Sequence, residues 1–243
     1  MRKQASVVIT VIFFLSLTFA FYQISSSYNY MENKYDYTNP INESSANESV
    51  PQHYIKDTKN ETGAINVVTA IVVEYRGFDT LGEVTVLFTA ATGVGFLLYN
   101  LYSRKKNKRE ANLILREGSK IVLPFALLTG AYIFIHGHLT PGGGFPGGSV
   151  IASGFLLMML SYPKFFMNEK RLSVLESLAG ITFVLIGLFG LIFATYFLQN
   201  YLNLGNVGYL ISAGIIPLIY IAVGFKVGSE LASVIQNLKE VQE

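Results

Sequence analysis

The chain has 243 residues, 51% of them hydrophobic and 14% charged, with a formal net charge of +2. A soluble globular protein carries roughly 25% charged residues, and here the few charges are bunched between uncharged runs. Residues 84–103 and 177–225 contain no Asp, Glu, Lys or Arg, and 121–162 has only His136 and His138 as readily titrating groups. Since about 20 apolar residues cross a bilayer as a helix, the pattern excludes a soluble enzyme, a disordered tail and a nucleic-acid binder. With no cysteine, the chain has no thiolate for an iron-sulfur cluster, no disulfide and no thiol nucleophile, so neighbouring redox chemistry belongs to another polypeptide.

The first apolar run, 5–24, follows Met1, Arg2 and Lys3. Its length and the bulk of Phe21 and Tyr22 favour a retained transmembrane anchor over a cleaved signal. Residues 25–63 are polar, show no apolar periodicity and read as an external loop. They hold three N-x-[ST] triplets, at Asn42, Asn47 and Asn60, which have the form of glycan acceptors. Beyond 64–103, Arg104, Lys105, Lys106, Lys108, Arg109, Arg116 and Lys120 mark 104–120 as a cytoplasmic loop by the positive-inside rule.

These runs predict an all-α, polytopic membrane protein with about six spans, at 5–24, 81–102, 121–135, 149–162, 178–198 and 209–225. Both termini are then cytoplasmic. The third and fourth spans are short for a bilayer and must borrow from their flanks. The domain reading is an anchor (1–24), an external loop (25–63), a small module (64–103), a basic loop (104–120), a four-helix membrane domain (121–227) and a tail (228–243). Leu231, Val234, Ile235 and Leu238 give that tail the spacing of a short amphipathic helix.

Residues 65–73 are apolar but too short to span, and they lead into Glu74, Arg76, Asp79 and Glu83 beside the second span. Carboxylates at membrane depth are costly and carry a functional presumption. Two readings stand. Glu74, Asp79, Thr80 and Glu83 form an ion pathway in which clustered carboxylates raise one another's proton affinity. Alternatively, Thr80 and Glu83 form a T-x-x-E capping box at a helix start, with Arg76 paired to Asp79 or Glu74.

Residues 136–148 join two membrane runs and contain two prolines and six glycines. That composition argues against a regular helix through the centre and favours a packed or re-entrant turn built on Pro141, Gly142, Gly143, Gly144 and Phe145. For His136 and His138, metal binding lacks further ligands, leaving ordinary hydrogen bonds or a proton relay. Lys120 reads as an interfacial anchor or as support for a cytoplasmic half-channel. Pro124 removes the helical partner of the Lys120 carbonyl. Gly180, Gly187 and Gly190 offer small surfaces for helix packing, and the uncharged last two spans read as scaffold.

The segment from Asn66 through Glu74-Tyr75-Arg76-Gly77-Phe78-Asp79-Thr80-Leu81-Gly82-Glu83 resembles a motif of the Mrp-type multisubunit cation/proton antiporters. The same motif belongs to their relatives in membrane-bound hydrogenase and sulfane sulfur reductase complexes. The block from Pro124 through His136-Gly137-His138-Leu139-Thr140-Pro141-Gly142-Gly143-Gly144-Phe145 resembles the B subunit of those antiporters, with Pro146 departing from the usual polar residue. The resemblance implies a fusion of two neighbouring modules. It implies a membrane subunit of a sodium/proton antiporter module in a larger respiratory complex, with Na+ or H+ as transported ions and no cofactor of its own. Its partners would be other membrane subunits, a redox module and the bilayer, and no nucleic acid. A non-conducting subunit that joins the antiporter module to the complex is the alternative.

Overall fold

The computed structural model describes Thr18 and residues 50–99 and 111–242. The chain divides into units 1–50 and 51–243, and the architecture below is that of the second. Apart from Thr18, the expected span at 5–24 lies outside the described residues, as do the triplets at Asn42 and Asn47 and Arg104 to Arg109 of the basic loop.

Among the described residues the elements are helical: α1 (Val50–Thr62), α2 (Val67–Ala70), a π-helical turn (Ile71–Tyr75), α3 (Gly77–Tyr99), α4 (Leu113–Ile135), α5 (Gly144–Ser161), α6 (Glu169–Phe193) and α7 (Ile216–Gln242). Five of them, α3 to α7, are long and apolar enough to cross a membrane. α7 is the hub, touching α3, α4, α5, α6 and the π-turn. Ile216, Ile219, Tyr220, Ala222, Val223 and Val227 on it are buried in one core with Ala70, Val73 and Phe183. α3 keeps large side chains such as Phe96 and Leu97 exposed, an apolar surface suited to lipid or a neighbouring membrane helix.

The expected loop at 25–63 is corrected at its C-terminal end, where α1 is a regular helix. Its polar sequence has no apolar stripe, and tertiary aromatic contacts order it instead. Tyr54 stacks on Tyr75 at 4.6 Å, and the Tyr75 hydroxyl donates to Glu61 at 2.5 Å. Gly63, at φ +69°, ends the helix in the left-handed conformation that glycine adopts without steric cost. Asn60 is exposed on α1, but Thr62 of its triplet is buried and donates its hydroxyl to the Thr58 carbonyl.

The helices are longer than the uncharged runs. α4 begins eight residues before 121, so 113–120 and Lys120 are helical, and the apparent shortness of that span disappears. α6 takes in Lys170, Arg171 and Glu176 after an Asn168 cap. The expected break between the last span and the tail does not exist: α7 runs unbroken to Gln242 and carries Lys226 and Glu230 inside it. In the other direction, 209–215 is not helical. It belongs to a strap, 194–215, in which the buried residues Leu198 and Ala213 take φ of 63° and 61°.

Residues 144–148 also depart from expectation, since they form the first turn of α5. Pro146 fits there because first-turn N–H groups have no partner inside the helix. The glycines are used for close approach between helices. A Cβ on Gly147 would stand 2.6 Å from the Gly130 carbonyl oxygen, and one on Gly148 would stand 2.7 Å from that of Gly224. Packing at that distance offsets the roughly 1 kcal/mol that each helical glycine costs. Gly187 and Gly190 serve a different neighbour, the strap. An added Cβ on Gly187 would overlap the Phe197 ring, and one on Gly190 would meet the Tyr196 carbonyl at 2.9 Å.

Candidate functional site

The two sequence motifs meet. Asn66 caps α2 by accepting from Val68 N at 3.1 Å, while its amide donates to the carbonyls of Gly137 and Thr140, both at 3.0 Å. The backbone N–H groups of Ile65 and Asn66 donate to the His138 carbonyl. Thr69 donates to the Gly137 carbonyl at 2.7 Å and accepts from the Tyr220 hydroxyl of α7 at 2.9 Å. Tyr220 in turn leaves room only for glycine at 143, where φ is +146° and an added Cβ would approach its ring to 3.1 Å. The start of α2, residues 65–69, therefore satisfies carbonyls of the non-helical turn at 136–143, as irregular structure in a membrane protein requires.

Within this junction His138 is fully buried, with Nε2 3.4 Å from the Tyr209 carbonyl oxygen and Nδ1 enclosed without a partner. Burial pushes its pKa below the ordinary range against the opposing effect of that carbonyl, so the ring is neutral near pH 7. His136 caps α4 and stacks on Tyr132 at 4.3 Å. Pro141 and Gly142 complete the turn, and Gly142 lies against the Ile133 carbonyl. Phe145 packs against the main core. Among the described residues no cluster of three or more His, Asp or Glu is arranged to hold a metal ion.

The acidic residues of the first motif separate. Glu74 lies on the π-turn, half-buried, with Oε2 enclosed and unpartnered. Burial raises its pKa to about 7, opposed by a hydrogen bond from Asn200 and assisted by the charge of Glu61. Thr80 is not a helix cap, because α3 has already begun at Gly77. Its hydroxyl donates at 2.7 Å to the Val72 carbonyl, in the segment where helical bonding is interrupted. The T-x-x-E capping box is thereby corrected. Asp79 forms an exposed pair with Arg76 at 2.7 Å. Glu83 is exposed one turn further on, on the face of Asp79. Lys120 pairs with Glu117 at 3.0 Å on the exposed side of α4.

Residues 114–233 match the family model described as a domain related to the MnhB subunit of Na+/H+ antiporters, and 37–114 match that of MbhE, the E subunit of MBH. An uncharacterized protein of Methanocaldococcus jannaschii is 31% identical over 69% of this chain and 74% of its own length. A chain of the membrane-bound sulfane sulfur reductase, an archaeal respiratory membrane complex, superposes with a TM-score of 0.73 at 42% identity. The match covers 92% of this chain and 98% of that one. This chain belongs to the MnhB-related antiporter-subunit family.

Two of the matched chains are much longer than this one. The MnhB-related chain spans 15% of the probable K+/H+ antiporter A/B subunit of Rhizobium meliloti, at 29% identity over 51% of this chain. It spans 26% of a chain of the Mrp complex from a Dietzia species, with a TM-score of 0.65 at 23% identity over 92% of this chain, a likeness of fold. In its own fold, the MnhB-related chain holds a second polar group outside both motifs. Lys226 donates to Glu230 at 2.6 Å and lies 3.8 Å from Glu176, with the side chain of Glu230 fully enclosed. The i, i+4 spacing of Lys226 and Glu230 is a signal present in the sequence. The uncharged run ends at 225, however, and a count of charges assigns Glu230 to the polar tail.

Proposed function

We propose that this MnhB-related chain is a membrane subunit of an Mrp-type sodium/proton antiporter module within a larger respiratory complex, and that it contributes to a cation path. The observation that carries this reading is Glu74. It lies on the π-helical turn that directly follows α2, whose first residues are bonded to the histidine turn, it keeps one enclosed carboxylate oxygen without a partner, and burial pushes its pKa up to about 7. A carboxylate so placed exchanges between protonated and charged forms near neutrality. Asp79, Thr80 and Glu83 follow on α3 toward the same path, with His136, His138 and Lys120 serving proton handling or structure. Na+ or H+ are the transported ions, and the chain itself binds no cofactor. Its partners are the other membrane subunits and a redox module, its termini are cytoplasmic, and residues 25–63 are external.

The test is sodium-dependent proton transport by the assembled complex carrying Glu74→Gln or Glu83→Gln. Loss of transport by about tenfold or more in Glu74→Gln, equivalent to roughly 1.4 kcal/mol, is the expected outcome. Normal transport by both variants in a fully assembled complex would reject a conducting role. The alternative, a structural subunit joining the module to the rest of the complex, is favoured by the bonds of Thr80 to Val72 and Asp79 to Arg76, which give those residues architectural work.

A further inference from the structure

α3 and α6 both pack on α7, and the space between them is open on either side of one ionic group. Toward the N-terminal half of α3, a cavity of about 530 Å³ is lined by residues that include Thr85, Phe88, Glu176, Gly180 and Lys226. Toward its C-terminal half, a second of about 390 Å³ is lined by residues that include Thr92, Glu176, Glu230, Ser233 and Asn237. Glu176 borders both. The triad Glu176–Lys226–Glu230 therefore stands at the waist of a groove that follows the membrane-spanning direction of α3.

The charges of the triad do not cancel. Two carboxylates face one ammonium, which leaves one negative charge where ions are poorly solvated. Lys226 commits its ammonium to Oε1 of Glu230 and reaches Glu176 at 3.8 Å, with the Phe88 ring 4.9 Å away. Oε2 of Glu230 is enclosed and has no hydrogen-bond partner. The other charged groups of the packed helices are placed elsewhere: on α6, Lys170 and Arg171 stand exposed in its first turn. α5 has no titratable side chain between Gly144 and Ser161, and α3 presents Phe88 and Thr92. On α4, Lys120 pairs with Glu117 and Arg116 lies over the Tyr162 ring. On α7, Lys239 donates to the carbonyls of Tyr162 and Phe165, and Tyr220 donates to Thr69. Glu74 of the π-turn is bonded to Asn200 of the strap.

We infer that the triad is an exchange site for one monovalent cation, bound at the free oxygen of Glu230, with Lys226 as its built-in counter-charge. A proton and a sodium ion satisfy the same need. A proton closes the carboxyl, and a hard cation finds oxygen-bearing side chains at Thr92, Glu176, Ser233 and Asn237 around the same cavity. If both use the site, sodium enters as the proton leaves: Glu–COOH + Na+ gives Glu–COO⁻·Na+ + H+. Lys226 can lean from Glu230 toward Glu176 as the load changes, its stem running beside Gly180, where even an added Cβ would make only ordinary contact with it. This inference deepens the cation-path reading by placing a station on α7, away from both sequence motifs.

The experiment is infrared difference spectroscopy of the purified intact complex, sodium chloride against choline chloride at equal ionic strength, over a pH series. The expected result is a carboxylic C=O band that disappears with sodium, accompanied by proton release. Both signals are lost in Glu230→Gln and retained in Glu169→Gln, which changes an exposed acid at the start of α6. Asn237→Leu, which leaves the triad intact, raises the sodium concentration for half-maximal change about tenfold through loss of an oxygen ligand. A band that titrates with pH at Glu230 but ignores sodium overturns sodium exchange and identifies the proton as the sole ligand of the site. Signals that persist unchanged in Glu230→Gln overturn the inference. Normal transport in Glu74→Gln alongside a lost signal in Glu230→Gln rejects the role of Glu74 while leaving the α7 site standing.

Discussion

Asp79 and Glu83 stand exposed at the start of α3, whereas Glu230 is enclosed in the middle of α7. In the sequence the first pair looks like the anomaly, because it abuts a long uncharged run, and Glu230 looks like part of a polar tail. The structure reverses the ranking. An exposed acid beside an arginine costs little and contributes little. An enclosed acid must be matched by a counter-charge or a proton. Burial, and not proximity to hydrophobic sequence, marks a carboxylate as demanding.

The sharpest way to break that contrast is to remove the counter-charge. Lys226→Met leaves Glu230 enclosed without its ammonium and should destabilise the subunit by about 3–5 kcal/mol. Lys226→Met with Glu230→Gln should recover most of the loss, and thermal unfolding of the purified complex measures both. If Lys226→Met melts like the parent, Glu230 is not confined as its geometry indicates. Gly148→Leu comes next, since even a Cβ would approach the Gly224 carbonyl to 2.7 Å. Overpacking there should cost about 1–3 kcal/mol or more and loosen α5 from α7, read as faster amide exchange in both.

Asn66→Ala removes a helix cap and two bonds to the histidine turn, for an expected loss of about 1–2 kcal/mol. Increased proteolysis near 136–143 would report it. Glu74 gives a smaller, pH-dependent effect. Because its pKa in the fold is raised from 4.5 to about 7, the folded chain holds that proton more tightly than the unfolded one. The resulting stability is complete below pH 4.5 and is lost as the pH rises to about 7, so Glu74→Gln should flatten the melting temperature across that window. Smallest of all, Asp79→Asn opens an exposed pair with Arg76 and should shift stability by no more than about 1 kcal/mol. A large loss of stability from that change would show that the α3 start is far more constrained than its exposure implies.

Long uncharged runs made the all-α membrane fold legible, because every backbone polar group in a bilayer must be bonded within a helix or a closed barrel. The positions of five spans followed from the same runs, but their ends did not. Lys120, Lys170 and Lys226 look like helix boundaries to a count of charges, yet each lies inside a helix. Lys120 reaches Glu117, and Lys226 pairs with Glu230. The two ends of the strap, 194–198 and 209–215, read as helix in the sequence because they are largely apolar, although Leu198 and Ala213 adopt left-handed conformations that packing imposes.

Local chemistry alone marked Asn66 to Glu83 and His136 to Phe145 as the informative segments, and their residue order carried the family resemblance. That these segments bond to each other was a matter for the tertiary structure, since the hydrogen bonds join residues some 70 positions apart. The same holds for the glycines of 142–148, whose low helix propensity is outweighed by contacts with α4 and α7 that no local pattern records. The scarcity of charge, read along the chain, determined that this protein lives in a membrane. Which charges are enclosed there was decided only when α3, α6 and α7 came together, because desolvation depends on what surrounds a side chain and not on its neighbours in sequence.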